Sequence, residues 1–267
     1  MSHQKSIILN RDRLKDGDNM QEIKQFKEII KKSKHIVFFG GAGVSVPSGI
    51  QHFRSASGIY QEKLNQTYTP EQMVSHSFFM HHTKAFFKFY FDKMIYPHAK
   101  PNACHIKLAK LEENGKIEAI ITQNIDGLHQ MAGSRRVIEL HGSVHRNYCM
   151  KCGKFYDLTA LDQTSVPYCT CGGIIKPDVV LYEEQLDQKM LASAILALRK
   201  ADTLIIGGTS LVVYPAAGLV SYFEGKHIIV INLDQSQNIQ TYNHMHILNI
   251  YDDIAHVFKQ LDEETIK

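Results

Sequence analysis

Ile36-Val37-Phe38-Phe39 runs directly into Gly40-Gly41-Ala42-Gly43. A short, unbroken apolar run is the mark of a strand buried on both faces of a parallel sheet. Glycines just after such a strand let the backbone come close to a pyrophosphate, with the N–H groups of the next turn directed at it. By itself a glycine-rich turn is equally an ordinary strand-to-loop connection. Here it is followed by a loop carrying Phe53, Arg54 and Tyr60 rather than by a long amphipathic helix. That loop is where control of the chemistry is expected.

The same kind of apolar run recurs. Ile117–Thr122, Val137–Leu140, Thr203–Ile206, His227–Leu233 and Ile247–Ile250 read as strands. Helical spacing appears in Met20–Lys34, Pro70–Tyr96, Asn102–Asn114, Asp187–Ala201, Pro215–Phe223 and Asp252–Leu261. Strands alternating with helices predict an α/β fold, a Rossmann-like parallel sheet with helices on both faces. Pro70–Tyr96 is dense in aromatics and predicts a small helical layer with its own core. With 267 residues and 44% hydrophobic content the core can be sizeable.

Cys149-x-x-Cys152 and Cys169-x-Cys171 break the alternation, so their segment predicts an insertion outside the sheet. Two close cysteine pairs, sixteen residues apart, supply four thiolates for one tetrahedral Zn2+. Four sulfurs leave no open position, so the metal is expected to be structural. Cys104, alone on a helix, reads as a small core residue.

Other classes lose ground on the same page. A net charge of +3 with interspersed signs does not argue for nucleic acid or an anionic membrane. No apolar run nears the ~20 residues of a membrane-spanning helix. Residues 1–19 read as a polar arm without a secretory signal, and a cytoplasmic location is expected.

Six blocks together carry a resemblance. Gly41-Ala42-Gly43-Val44-Ser45, with Ser48-Gly49-Ile50 and Phe53-Arg54-Ser55, resembles the opening signature of the sirtuins, the NAD-dependent protein deacylases, and specifically a bacterial deacetylase-type member. Thr122-Gln123-Asn124-Ile125-Asp126-Gly127-Leu128-His129 resembles their second signature, and Leu140-His141-Gly142-Ser143 their catalytic-histidine segment. The four cysteines follow, then Lys176–Glu184, then Gly208-Thr209-Ser210-Leu211 with Pro215-Ala216-Ala217, all in the family's order.

The resemblance implies one catalytic domain over 20–267. Its large part would be formed by about 20–65, 102–145 and 175–267, its small part by a helical insert at about 66–101 and a zinc ribbon at about 145–175. It implies an enzyme that moves an acyl group from protein lysine to the ADP-ribose of NAD and releases nicotinamide. His141 and Asn124 would be catalytic, His141 as the base for a ribose hydroxyl. Gln123 and Asn124 would hold the nicotinamide ribose, and Ile125 and Asp126 the nicotinamide amide. Gly41, Ala42, Gly43, Val46 and Tyr60 join the cofactor set. Phe53 and Arg54 would cover the ribose face. Gly208, Thr209, Ser210, Asn232 and Asp252 would line the adenosine half. Val179, Val180, Tyr182 and Glu183 would pair with the substrate peptide as an added strand.

Tyr90-x-x-Lys93 stands where desuccinylating members carry Tyr-x-x-Arg, so neutral acyl groups, acetyl first, are expected. Partners are acyl-lysine proteins or peptides, with no membrane, no specific nucleic acid and a monomeric chain. The usual Pro-Asp before Phe-Arg is Gln51-His52 here, and Val46 replaces the usual Thr. The acidic residue that hydride-transfer enzymes place about 20 residues past the glycine turn is missing, which counts against a dehydrogenase. Two rivals stay open. One is ADP-ribosyl transfer to protein, or NAD hydrolysis, on the same fold. The other is a non-catalytic, NAD-sensing zinc-ribbon module.

Overall fold

The computed structural model describes residues 19–51, 68–209, 216–234 and 245–267. Six parallel strands build the main sheet: β1 (Ile36–Gly40), β2 (Ile117–Thr122), β3 (Val137–Glu139), β7 (Thr203–Gly207), β8 (His227–Ile231) and β9 (His246–Ile250). Their order is β3-β2-β1-β7-β8-β9. From β1 the chain steps outward to β3, returns to the centre at β7, and steps outward the other way. The order therefore reverses between β1 and β7, and a crevice opens there at the carboxyl ends of the strands.

Helices cover both faces. α1 (Met20–Lys32), α5 (Ala103–Glu113), α8 (Ile254–Lys259) and α9 (Glu263–Ile266) pack on one side, where Phe26, Ile30, Leu108, Val257 and Phe258 meet Ile36, Phe38 and Ile120. α7 (Gln188–Lys200) and the 3-10 segment Ala216–Tyr222 cover the other, against Val37, Phe39, Ile121, Leu204 and Ile206. With apolar partners on both sides, β1 and β7 are buried at every residue, as their continuous apolar runs require. Pro215–Phe223, expected as an α-helix, forms the tighter 3-10 coil within its described part.

The ends of these helices follow local chemistry. Asn102 caps α5, Asp187 caps α7 and Asp253 caps α8, each side chain accepting a backbone N–H of the first turn. Lys116, at the foot of β2, donates to the carbonyls of Ile30, Lys31 and Ser33 and closes the open end of α1.

A second lobe sits beside the carboxyl edge. The aromatic stretch forms three short helices, α2 (Pro70–Met73), α3 (His76–His81) and α4 (Thr83–Lys93). Ser75 restarts the chain as a cap, accepting from the Phe78 N–H. The cysteine segment lies outside the main sheet, as expected. It is flanked by an antiparallel sheet of β4 (Gly142–Cys149), β5 (Phe155–Asp157) and β6 (Ile175–Val179), ordered β5-β4-β6. Phe79, Phe86, Phe87 and Tyr90 pack with Val144, Val179 and Leu181 in the core shared by these helices and strands. A short helix, α6 (Leu128–Met131), follows β2.

Candidate active site

The loops after β1 and β7 are welded to each other. Gly41 N–H donates to the Gly207 carbonyl at 3.1 Å and Gly43 N–H to the Gly208 carbonyl at 2.8 Å. A Cβ on Gly43 would lie 2.6 Å from Gly208 Cα, so no other residue permits this approach. This refines the expectation for the glycine turn. Two of its N–H groups are engaged by the neighbouring loop, and the glycines serve first to close the seam at the switch point. Ala42 stays exposed above it, and Val46 lies half-buried in a second 3-10 turn, Val46–Ser48.

The loop after β2 lies across that seam. Gln123 N–H donates to the Gly40 carbonyl, and its amide nitrogen to Thr209 Oγ1 at 3.2 Å. Asn124 Nδ2 donates to the Gly41 carbonyl at 3.0 Å and to Ser45 Oγ at 3.1 Å. Its carboxamide oxygen takes no part in either bond. Ser45 in turn donates to Asp126 at 2.7 Å, and the Leu128 N–H meets the other carboxylate oxygen. Burial raises the Asp126 carboxyl above its ordinary range, against the pull of these donors and of His145. Ser45, almost fully buried, thus locks the first signature to the second. It was quoted in the motif without a role, and nothing in the sequence marks it as the link.

His141 sits between the two sheets. Its Nδ1 pairs with the Gln123 carbonyl at 2.8 Å. A carbonyl only accepts, so Nδ1 carries the proton and Nε2 keeps its lone pair. Burial pushes the imidazole pKa down, partly offset by that carbonyl, and favours the neutral ring. The position depends on Gly142. It has φ +77, and a Cβ there would lie 1.8 Å from the Asp178 carbonyl oxygen. His145, the other histidine nearby, is exposed and pairs with the Asp126 carbonyl.

The remaining expected contacts divide. Asn232 Nδ2 donates to the Thr209 carbonyl at 3.2 Å, which joins Gln123, Thr209 and Asn232 across three strand ends. Asp252, just before the cap of α8, pairs with His256 of that helix at 2.6 Å. Ile125 packs against the core of the second lobe. Phe53, Arg54, Tyr60 and Ser210 lie outside the described residues.

The segment expected to receive a peptide is partly bolted down. Val179 is buried, and the Val180 N–H donates to the His141 carbonyl at 3.0 Å. Tyr182 N–H donates to the Val74 carbonyl, and the His76 N–H to the Tyr182 carbonyl. Glu183 has φ +77, the only such non-glycine among the described residues, and its carboxylate accepts from Ser77 N–H and Oγ. A hollow of about 490 Å³ opens here, beside α2 and α3 and away from the glycine seam.

The cysteines meet as their spacing predicts. Cys149, Cys152, Cys169 and Cys171 offer sulfurs all within 4.8 Å of one another. Two of the sulfur pairs stand 3.4 and 3.6 Å apart, close to the roughly 3.8 Å edge of a tetrahedron with Zn–S bonds of about 2.3 Å. The Cys171 N–H and the Tyr156 hydroxyl hold the Cys169 thiol down at about 5. Despite the Gly173 N–H, hydrogen bonds to the other sulfurs push Cys171 up to about 12. Four cysteine sulfurs gathered at one spot form a donor set that fits Zn2+, which would hold them as thiolates. Tyr156 was not expected in this role. Cys104 is buried in the main core, as expected.

A model of the Sir2 family matches residues 41–215. A Clostridium perfringens protein named NAD-dependent protein deacetylase is 64% identical over 219 residues, 81% of this chain and 90% of its own. The protein of that name from Fusobacterium nucleatum is 41% identical over 252 residues, 94% of this chain and 96% of its own. A solved structure concerned with the mechanism and regulation of Sir2 enzymes superposes with a TM-score of 0.79 at 38% identity, over 92% of this chain and 98% of that one. A Sir2 structure with a p53 peptide and NAD+ superposes with a TM-score of 0.74 at 37% identity, over 89% and 96%. The span matched by the family model includes the glycine seam, the β2 loop and His141, and the chain belongs to the Sir2 family.

Proposed function

We propose that the protein is an NAD-dependent protein lysine deacetylase, transferring the acyl group to ADP-ribose and leaving free lysine. The observation that carries this reading is His141. Its Nδ1 proton is fixed on the Gln123 carbonyl, so a basic Nε2 is available beside the loop of Asn124 and Asp126. When bound, NAD supplies a ribose carbon that gives up nicotinamide and an acceptor hydroxyl. Around it, His141 takes the hydroxyl proton. Asn124, oriented by Gly41 and Ser45, holds the ribose, and Asp126 the nicotinamide amide. Gly41, Ala42, Gly43 and Val46 would hold the diphosphate, and Gly208, Thr209, Asn232 and Asp252 the adenosine half. Residues 179–183 hold the acyl-lysine peptide. Cys149, Cys152, Cys169 and Cys171 hold Zn2+, which shapes the second lobe without entering the reaction.

Similar proteins carry the deacetylase name, and related Sir2 structures contain NAD+ or an acetylated peptide. Acetyl is the preferred group. Tyr90 is buried in the second lobe, and its hydroxyl has no hydrogen-bond partner among the described residues. Lys93 lacks the planar fork that would grip an acyl carboxylate. No helix among the described residues is long and apolar enough to cross a membrane. We place the protein in the cytoplasm as a monomeric acyltransferase.

The test is mass spectrometry of the products from NAD and an acetyl-lysine peptide. O-acetyl-ADP-ribose with free lysine is expected. Bare ADP-ribose, or ADP-ribosylated protein with the peptide still acetylated, would overturn the assignment in favour of the hydrolase or transferase rival. Bound NAD without any product would favour the sensing module.

A further inference from the structure

Asn102 belongs to none of the loops that form the site, yet it reaches one of them. It caps α5. Its Oδ1 accepts the Cys104 N–H at 3.0 Å, while its own N–H donates to His105 Nδ1 at 3.2 Å. The Cys104 donor fixes which side-chain atom is the oxygen, so the other is the nitrogen. Nδ2 has two acceptors in the turn after β1: the Val44 carbonyl at 2.8 Å and Ser48 Oγ at 2.9 Å. A helix cap needs only the oxygen. The two bonds from the nitrogen cross to residues 58 and 54 positions earlier in the chain, and capping does not account for them.

The turn they grip is two 3-10 segments of three residues each, Ala42–Val44 and Val46–Ser48, with Ser45 between them. Such short pieces hold their shape poorly on their own. One side of the turn is pinned by the Gly43–Gly208 bond, and another by Ser45 to Asn124 and Asp126. Asn102 takes hold on both sides of Ser45, at Val44 just before it and at Ser48 three residues after it. α5 in turn is fixed in the main core by Leu108 and Leu111, so the grip comes from a rigid element. We propose that Asn102 is a positioning residue for the cofactor site. It sets the place of Ser45, and through Ser45 the places of Asn124 and Asp126. The proposal rests on the reading of Asn124 and Asp126 as groups that hold NAD, and it gives Asn102 itself no contact with NAD.

The experiment uses the full chain with its Zn2+ and reads NAD affinity by calorimetry, KM for NAD, kcat, and affinity for an acetyl-lysine peptide. Asn102→Asp keeps the capping oxygen, loses both donors and sets a carboxylate oxygen against the Val44 carbonyl. Asn102→Ser keeps a capping oxygen and leaves the turn unheld. Melting temperatures should change little in either. The dissociation constant and KM for NAD should rise about 10- to 30-fold in Asn102→Asp and about 5-fold in Asn102→Ser, with peptide affinity within about twofold of the parent. A chain that is merely less stable loses active fraction, which lowers the apparent kcat and leaves these constants alone. Ser45→Ala should weaken NAD binding by itself, and Asn102→Ser on top of it should add little. NAD affinity unchanged in both Asn102 variants, or a loss that adds in full to that of Ser45→Ala, would overturn the proposal and leave Asn102 a helix cap. Asp126→Asn separates the proposal from the reading beneath it. If NAD affinity survives Asp126→Asn but falls in Asn102→Asp, the positioning role stands through Asn124, and the assignment of Asp126 to the nicotinamide amide is overturned instead.

Discussion

β1 is buried along its whole length between two parallel neighbours, while β5 has three residues, two of them exposed. The main sheet is closed on both faces by apolar side chains from helices. The small sheet has Cys149, Cys169 and Ile175 as its own buried cluster, and Tyr148 and Phe155 point outward. The main sheet is buried on both faces, whereas the small sheet shares one aromatic core and otherwise depends on four cysteines placed to hold one ion. Leu140 and His141 connect β3 to β4, so the proposed base stands where the two regions meet.

Metal removal should break this comparison most sharply. Structural zinc contributes about 10–16 kcal/mol in small zinc peptides, more than a small three-stranded sheet can replace. Chelation, or Cys149→Ser, should abolish turnover. Amide exchange should lose protection in β4, β5 and β6 while β1, β2 and β7 stay protected. Simultaneous loss in both sheets would show that they form one cooperative unit.

His141→Ala tests the junction itself. Turnover should fall by about 10²- to 10⁴-fold, the usual worth of a general base. The melting temperature and NAD affinity should change little, because the ring makes one hydrogen bond to the main chain. Retained deacetylation would remove His141 from the base role.

The same contrast explains what could be read from the residues alone. β1, β7 and β8 lie where unbroken apolar runs predict them, because burial on both faces leaves such a run, and β2, β3 and β9 follow apolar runs interrupted by Glu118, Glu139 and Asn249. β4 reads Gly-Ser-Val-His-Arg-Asn-Tyr-Cys and shows no such mark. A register shift between Ser143 and Asn147 breaks its alternation, and Asn147 is fully buried by donating to the Val144 and Tyr156 carbonyls. Metal and hydrogen bonds can order a strand whose sequence has no period. The site divides similarly. His141 and the cysteines stand out by type and spacing. Ser45 does not, because its two partners lie about 80 residues away in the chain. The engagement of the Gly41 and Gly43 N–H groups was hidden for the same reason: only the fold brings Gly207 and Gly208 to them.

Acid should reveal a weak point inside the otherwise apolar sheet packing. His105 and His129 are buried with ring centroids 4.7 Å apart, and three of their four ring nitrogens have no hydrogen-bond partner among the described residues. Burial lowers His105 to about 4, and burial together with His105 lowers His129 to about 3. The unfolded chain therefore binds protons first as pH falls below about 6.5, and the folded state loses ground until both rings titrate near pH 3–4. Each histidine contributes up to about 1.4 kcal/mol per pH unit in that window. Urea unfolding from pH 7 to 5 should show the slope, and His105→Gln should flatten it. A pH-independent midpoint would mean the rings are solvated.

The smallest effect is expected at the bridge between the two sheets. Arg146, on β4, donates to Glu139 at the end of β3 at 2.6 Å and to Asp178 on β6 at 2.7 Å. Glu139 is buried and stands two residues before His141. Removing the guanidinium leaves a carboxylate in a dry site, whereas removing both partners does not. Arg146 is partly exposed, so Arg146→Met should cost only about 1–2 kcal/mol. The kcat should fall about tenfold as the strand end bearing His141 loosens. Arg146→Lys should recover little, because one ammonium cannot bind both carboxylates at these angles. Adding Glu139→Gln to Arg146→Met should restore stability, and a double-mutant cycle would give the coupling. If the single variant matches the parent in both kcat and melting temperature, the sheets communicate through the main chain alone, by the Val180–His141 hydrogen bond.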